Sequence, residues 1–485
     1  MPEIQDIDLD EITARALAYA DGHFNHYVDK LCEFIKIPSV SADGFESRHV
    51  RESAEFTAAL CKSAGFADVR ITGIEGAHPS VIARTQSVKP LSYKPLSVLC
   101  YAHHDVQPPL DGGLWKSPPF IPDIRDGRLF GRGSADDKAG VLVHAAAVES
   151  FLNTSGILPV QINTLIDGEE ETGSANIGKL LAKYRDALPA DVMIISDMTN
   201  YDTGIPSLTV SLRGLCVIEV TVKALEKPLH SGMWGGPIPD PVIALSRIIS
   251  SFQDDEGNHL IEGLPDNRSY LSEKNQELPC KKGSRYTCED MSESVFRRQA
   301  GVCSGVCLFS ARRLNERLWD RPALTVTAIE SGKRASPGNV LQPEAWARVT
   351  LRTPPGMDSK SACARLEAHI RGKCPWGMTV NTANTSFTDG WCTDTTHPFS
   401  QAAIKALASG YGRPVSIIGS GGSIPFVKTM SDFLGGAPAL LTGIEDPESN
   451  VHGINESLNL KDFQQAIRSE ILLFSGLAAA GAERK

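Results

Sequence analysis

The sequence predicts an α/β fold in which a larger, mostly parallel unit is split in two by a smaller inserted α+β unit. Three observations carry this. Short β-rich runs alternate with helical periodicity over the first 200 or so residues. From Ser207 the chain changes to long alternating runs typical of antiparallel strands, and near Pro398 the first style returns.

The elements follow in order. Ile12, Ala16, Ala20, Tyr27, Leu31, Phe34 and Ile35 recur at helical spacing and predict a helix over 10–37, followed by another over 47–64. DVRITG, PSVIART and LSVLCYA are β-rich, the last ending at Ala102. A helix over 138–152 leads into VQINTLI, a helix over 175–184 into VMIIS. SLTVSLRGLCVIEVTVKAL reads as one long antiparallel strand. After it come a helix over 240–252, an irregular stretch over 256–322, ALTVTAIE, ARVTLRT, a helix over 359–372 and MTVNTA. These give the inserted unit four strands and two helices. The irregular stretch is too long for a simple connection. A helix over 399–409, VSII, GSGGSIP, APALLTG and a final helix from Leu460 complete the larger unit.

At about 150 residues per domain, 485 residues suggest three domains. The change of strand style reduces this to two, one built from 1–208 and 390–485, the other from 209–389. The 48 basic and 58 acidic residues give a charge of −10, which argues against nucleic-acid partners and anionic membranes. No uncharged apolar run reaches the roughly 18–20 residues of a membrane span. The start MPEIQDIDLDE lacks a basic-then-apolar layout, so a cytoplasmic location is expected. The 11 cysteines form no CxxC and are expected as reduced thiols.

Six places bear chemistry. In YAHHDVQP, His103 and Asp105 stand two apart at a strand end, on one face, where Asp105 can accept from the far nitrogen of His103 and fix a metal-binding tautomer. In GRGSADDKAG, Asp136 and Asp137 open an apolar helix, where aspartate commonly caps. In DGEEETGS, Glu169, Glu170 and Glu171 follow a strand, as a solvated turn also would. Asp197 follows VMIIS, His230 sits in LHSGMWGG, and His452 sits in NVHGINE. Each alone has a structural reading. Together, His103, Asp105, Asp136, Glu170, Glu171 and Asp197 gather beyond the carboxyl ends of predicted strands, where open α/β sheets place their sites. Imidazole and carboxylate donors suit zinc, with cobalt or manganese as alternatives.

In this order the motifs HHDVQP, GRGSADDK, EEETGS, LHSGMWGG and GGSIP resemble the zinc-dependent metallopeptidase family of carnosinase-like cytosolic nonspecific dipeptidases, with its glutamate carboxypeptidase, aminoacylase and desuccinylase relatives. The resemblance spans nearly the whole chain. It implies a zinc-exopeptidase-type catalytic domain with a ferredoxin-like lid that also dimerises. It further implies a dizinc hydrolase of dipeptides or small peptides; the alternative is an N-acyl amino-acid deacylase or carboxypeptidase using the same site. By motif, His103 and Asp197 would hold one zinc, Glu171 and His452 the other, with Asp136 bridging and Asp105 supporting His103. Glu170 would be the general base acting on a metal-bridged water; Thr-Gly-Ser after the run sets the register on Glu170 and Glu171. The Asp136–Asp137 bond would be cis. His230 would reach the partner's site and stabilise the oxyanion. Asn339, Arg352, Gly421, Gly422 and Ser423 would contact substrate. His104 should point to the opposite face and is not assigned as a ligand. The dipeptidase branch often has an acidic residue before GGS, where this chain has Ser420.

Overall fold

A computed structural model describes residues 8–86, 96–264, 286–309, 314–335 and 337–482. Much of the irregular stretch predicted over 256–322 therefore lies outside the described residues, as does Cys280. In chain order the strands are β1 (Asp68–Ile71), β2 (Val81–Arg84), β3 (Ser97–His103), β4 (Asp123–Arg125), β5 (Arg128–Phe130), β6 (Gln161–Asp167), β7 (Val192–Thr199), β8 (Ser207–Leu212) and β9 (Gly214–Lys223). They continue with β10 (Leu229–His230), β11 (Ala323–Glu330), β12 (Val340–Leu341), β13 (Glu344–Thr353), β14 (Thr379–Thr388), β15 (Trp391–Cys392), β16 (Ser416–Ser420), β17 (Ala439–Glu445) and β18 (Ser457–Asn459).

The large mixed sheet runs β1-β2-β6-β3-β7-β17-β8-β15, with β16 also paired to β8. Its centre, β6-β3-β7-β17, is parallel. Val98, Cys100 and Ala102 of β3 pack on one face with Val143, Ala146 and Ala147 of the helix Lys138–Thr154 and with the helix Leu460–Ala482. Leu99 and Tyr101 face the other side, against Ile177, Leu180, Val427 and Met430. Burial on both faces is why these strands read as near-continuous apolar runs.

The smaller sheet is antiparallel, in the order β11-β13-β9-β14. The helices Pro241–Ser250 and Ser359–Gly372 pack on it through Ala244, Leu245, Ile248, Ala362 and Leu366. The run from Ser207 is not one strand. It breaks at Arg213 into β8 of the large sheet and β9 of the small one. Alternation continues through the break, so the pattern alone conceals it. The helix predicted over 10–37 is likewise two helices, Leu9–Gly22 and Phe24–Ile35, meeting at His23. The apolar spacing skips a turn between Ala20 and Tyr27, where the break falls.

The expectation of reduced thiols is corrected at one place: Cys216 on β9 and Cys363 on the helix Ser359–Gly372 form a disulfide, their Cα atoms 5.7 Å apart. They lie 147 positions apart and meet only through packing of helix on sheet, so local cysteine spacing gives no signal. No helix among the described residues is long and apolar enough to cross a membrane.

Candidate metal centre

The ends of β3, β6, β7 and β17 converge at one edge. β3 ends on His103, whose Nε2 lies 2.9 Å from Asp136 Oδ1 and 3.7 Å from Asp197 Oδ1. His452 Nε2 lies 2.9 Å from Asp136 Oδ2 and 3.2 Å from Glu171 Oε2. Asp136 thus offers one oxygen to each histidine. β7 continues through Asp197 to Thr199, so Asp197 is the strand's own residue rather than one beyond its end.

Supporting residues hold these groups. Asp105 is fully buried, with Oδ1 3.3 Å from His103 Nδ1. The same carboxylate accepts from Ser41 Oγ at 2.6 Å and from the amides of Glu170 and Glu171 at 3.2 and 3.1 Å. One side chain therefore ties β3 to the glutamate turn after β6. Gln107 donates to Glu171 from its backbone N at 3.0 Å and from Nε2 at 2.8 Å. Glu169 turns away and accepts from the Asn176 amide at 2.7 Å. Glu456 accepts from the amides of Gly133, Ala135 and Asp136 and from Arg132 Nη1, fixing the turn that carries Asp136. Asp137 stands at the N-cap position of its helix, but its side chain makes no capping hydrogen bond. Its Oδ2 accepts from the His103 amide at 3.2 Å, and the Asp136–Asp137 peptide is cis.

Burial pushes the carboxyls of Glu170 and Asp197 up, and the neighbouring acids add to it for Glu170; Glu171 rises to about 7 by burial and the Asp136 charge. Hydrogen bonds that His452 donates to Asp136 and Glu171 lift it to about 11. Burial opposes the charge on His103, but its bonds to Asp105, Asp136 and Asp197 prevail and hold the imidazole protonated. The two imidazoles hold Asp136 ionised against its burial. A buried set this rich in acids needs positive charge. Two divalent cations fit its donors: His103 and Asp197 with one oxygen of Asp136, and His452 and Glu171 with the other.

Of the predicted residues, His103, Asp105, Asp136, Glu170, Glu171, Asp197 and His452 come together. His104 turns away, Nε2 2.9 Å from the Pro79 carbonyl. His230 shares no hydrogen bond or ion pair with the cluster. It is exposed, and its Nδ1 accepts from the Gly232 amide at 3.2 Å. It pairs with Val340, beside Asn339, whose carbonyl accepts from the Ser231 amide. Arg352 stands half-buried on β13. Gly421, Gly422 and Ser423 follow β16, where Gly421 O accepts from Arg213 Nε at 3.0 Å and Ser423 Oγ donates to Arg213 O at 2.5 Å. A cavity of about 400 Å³ extends from Met198 and Thr199, next to Asp197, to Ser420 and Gly421, with Phe296 and Trp319 in its wall.

Sequence reasoning missed two members. Glu445 ends β17 and groups with Asp136 and Asp197; its carboxyl is pushed well up by burial and those charges. Its position just after APALLTG, at a strand end, is the signal that selected the others. Asp137 groups with His103 and Asp197.

The family model described as peptidase family M20/M25/M40 matches residues 99–473. The chain is 33% identical over 378 residues to a cysteinylglycine-S-conjugate dipeptidase of Corynebacterium striatum, covering 77% of this chain and 79% of that protein. It is 28% identical to a Cys-Gly metallodipeptidase of Saccharomyces cerevisiae, covering 90% and 92%. Among solved structures, the M20 metallo-carboxypeptidase Sso-CP2 from Sulfolobus solfataricus superposes with a TM-score of 0.77 at 26% identity, covering 93% of this chain and 99% of that one. The chain belongs to peptidase family M20/M25/M40, and it is a peptide-bond hydrolase of that family.

Proposed function

We propose that this chain is a two-metal dipeptidase cleaving the amide bond of dipeptides or small peptides. The observation that carries this is Asp136 between His103 and His452, one carboxylate oxygen 2.9 Å from each, with the Glu170 carboxyl near enough to feel the charges of Asp197, His103 and Asp136. His103, Asp136 and Asp197 would hold one cation, and Asp136, Glu171 and His452 the other, zinc first, with manganese or cobalt as alternatives. Such a pair, when bound, polarises a scissile carbonyl and acidifies water. Glu170 takes the proton of the attacking water and returns it to the leaving amine. Burial pushes its carboxyl up, which suits a group that must keep that proton between the two steps. Asp105 orients His103.

The inserted unit, 209–389 against 1–208 with 390–485 by the sequence, starts after β8, which belongs to the large sheet, and reads as a ferredoxin-like lid. Met233 and Trp234 are exposed beside His230, which supports a homodimer in which His230 serves the second subunit's oxyanion. Asn339, Arg352 and the Gly421–Ser423 loop would hold substrate. A cytoplasmic location belongs to the same reading. The relatives named for Cys-Gly make that dipeptide the first to assay. A carboxypeptidase or N-acyl amino-acid deacylase is the second reading. It is favoured by Ser420, whose Oγ accepts from the Gly422 amide where an acidic residue would serve a free amine.

The test is a panel of free dipeptides and N-acylated amino acids, before and after chelation. Chelator-sensitive cleavage of free dipeptides supports the first reading, and cleavage of acylated substrates alone the second. Turnover untouched by complete metal removal would sink both.

A further inference from the structure

Four arginines among the described residues are 9% exposed or less: Arg128, Arg132, Arg213 and Arg321. Three have a carboxylate at hand, Asp446 at 2.8 Å, Glu456 at 2.7 Å and Glu316 at 3.0 Å. Arg213 is the exception. Its Nε and Nη1 donate only to the carbonyls of Gly421 and Arg321, at 3.0 and 3.4 Å. No acceptor among the described residues meets its Nη2. That nitrogen faces Gly421, where a Cβ would come within 2.8 Å of it, so the glycine keeps the approach open.

A second cation stands close by. β13 pairs antiparallel with β9, Arg352 opposite Leu215 and Thr353 opposite Gly214. Carried one residue further, this register sets Arg213 opposite Pro354, two positions from Arg352 and on the same face of the ladder. Burial, with a smaller contribution from the charge on Arg352, lowers the Arg213 guanidinium to about 10. Among the described residues Arg352 has no carboxylate partner either. Two neighbouring guanidinia, one buried, are costly unless an anion joins them, and the planar guanidinium fork matches a carboxylate.

We propose that Arg213 is the buried second cation of a carboxylate-binding site that it forms with Arg352, over the Gly421–Ser423 loop. Gly421, at the start of that loop and against Arg213 Nη2, also lines the cavity that begins beside Asp197, so the site adjoins that cavity. The carboxylate is either the C-terminal one of the peptide or that of a separate small acid. Only the first source rests on the dipeptidase reading.

The test uses the purified, metal-loaded protein, with N-acetylglycine and N-acetylglycinamide as probes in calorimetric titrations. The wild type should bind the acid at least tenfold more tightly than the amide. R213Q should lose that preference, and R213K should keep part of it. A crystal structure of the wild type with N-acetylglycine serves if R213Q fails to fold, and it should show a carboxylate oxygen within hydrogen-bond distance of Arg213 Nη2. An undiminished acid preference in R213Q, or a carboxylate on Arg352 alone, overturns the proposal. Neither measurement needs turnover, so failure of dipeptide hydrolysis would refute the proposed function and leave this result readable. A tenfold or greater loss of kcat/KM for C-terminally amidated dipeptides, restricted to proteins with Arg213 intact, assigns the site to the peptide. Acid binding without that loss assigns it to a separate small carboxylate. Both outcomes support the site.

Discussion

Replacing Asp105 by asparagine tests whether one buried carboxylate organises both halves of the metal centre. Oδ1 serves the Glu170 amide and His103 Nδ1, and Oδ2 serves Ser41 Oγ and the Glu171 amide. Asparagine keeps one acceptor. With its NH2 at the Oδ2 position, Ser41 can reverse and accept, but the Glu171 N–H is left facing another donor. The opposite orientation strands both the Glu170 N–H and the His103 N–H. The cheaper choice costs one buried unsatisfied donor, about 1–3 kcal/mol. It also removes the charge that orients His103. If Glu171 and His103 hold metal as proposed, a displaced glutamate turn and a loosened His103 should lower metal affinity roughly 10–100-fold. Competition against a chromophoric chelator measures it, with circular dichroism confirming the fold. An Asp105→Asn protein that binds metal within twofold of wild type would refute this reasoning.

Further outcomes follow from the same geometry. His104 is fully buried, Nε2 donating to Pro79 O, and burial lowers it from 6.5 to about 4. The unfolded chain therefore takes up a proton that the folded chain refuses between pH 6.5 and 4, and about 3 kcal/mol of stability present above pH 6.5 should be lost across that window. Urea unfolding of wild type and His104→Gln between pH 4 and 7 checks it, and an equal slope in both would count against it. His103 and His452 are held protonated and Glu171 lies near 7, so metal uptake at pH 7 should expel protons and weaken as pH falls. Calorimetry in two buffers of different ionisation enthalpy should give different heats, and identical heats would contradict it. Glu169 faces Asn176, so Glu169→Gln should keep both metals and turnover within a few-fold, whereas Glu171→Gln should lose one metal per chain by elemental analysis.

Much of the site was legible because the residues that carry it follow apolar strand runs. LSVLCYA delivers His103, VQINTLI delivers the glutamates and VMIIS delivers Asp197, and strand ends in a parallel sheet share an edge. Glu445 obeys the same rule and was missed because no motif surrounded it. The tie from Asp105 to the Glu170 and Glu171 amides could not be read, since backbone donors leave no mark in a sequence. Nor could the break at Arg213: an alternating pattern is the same whether a run stays in one sheet or passes to the next. The Cys216–Cys363 bridge depends on which helix covers which sheet, a matter of tertiary packing.

The central claim is that Glu170 moves the proton in a site built by the other residues. The most direct measurement is metal content together with kcat on a dipeptide for wild type and Glu170→Gln. Two bound cations per chain in both proteins are expected, with kcat lower in the variant by about 10²–10⁴. A variant holding both metals and turning over within tenfold of wild type would contradict the account.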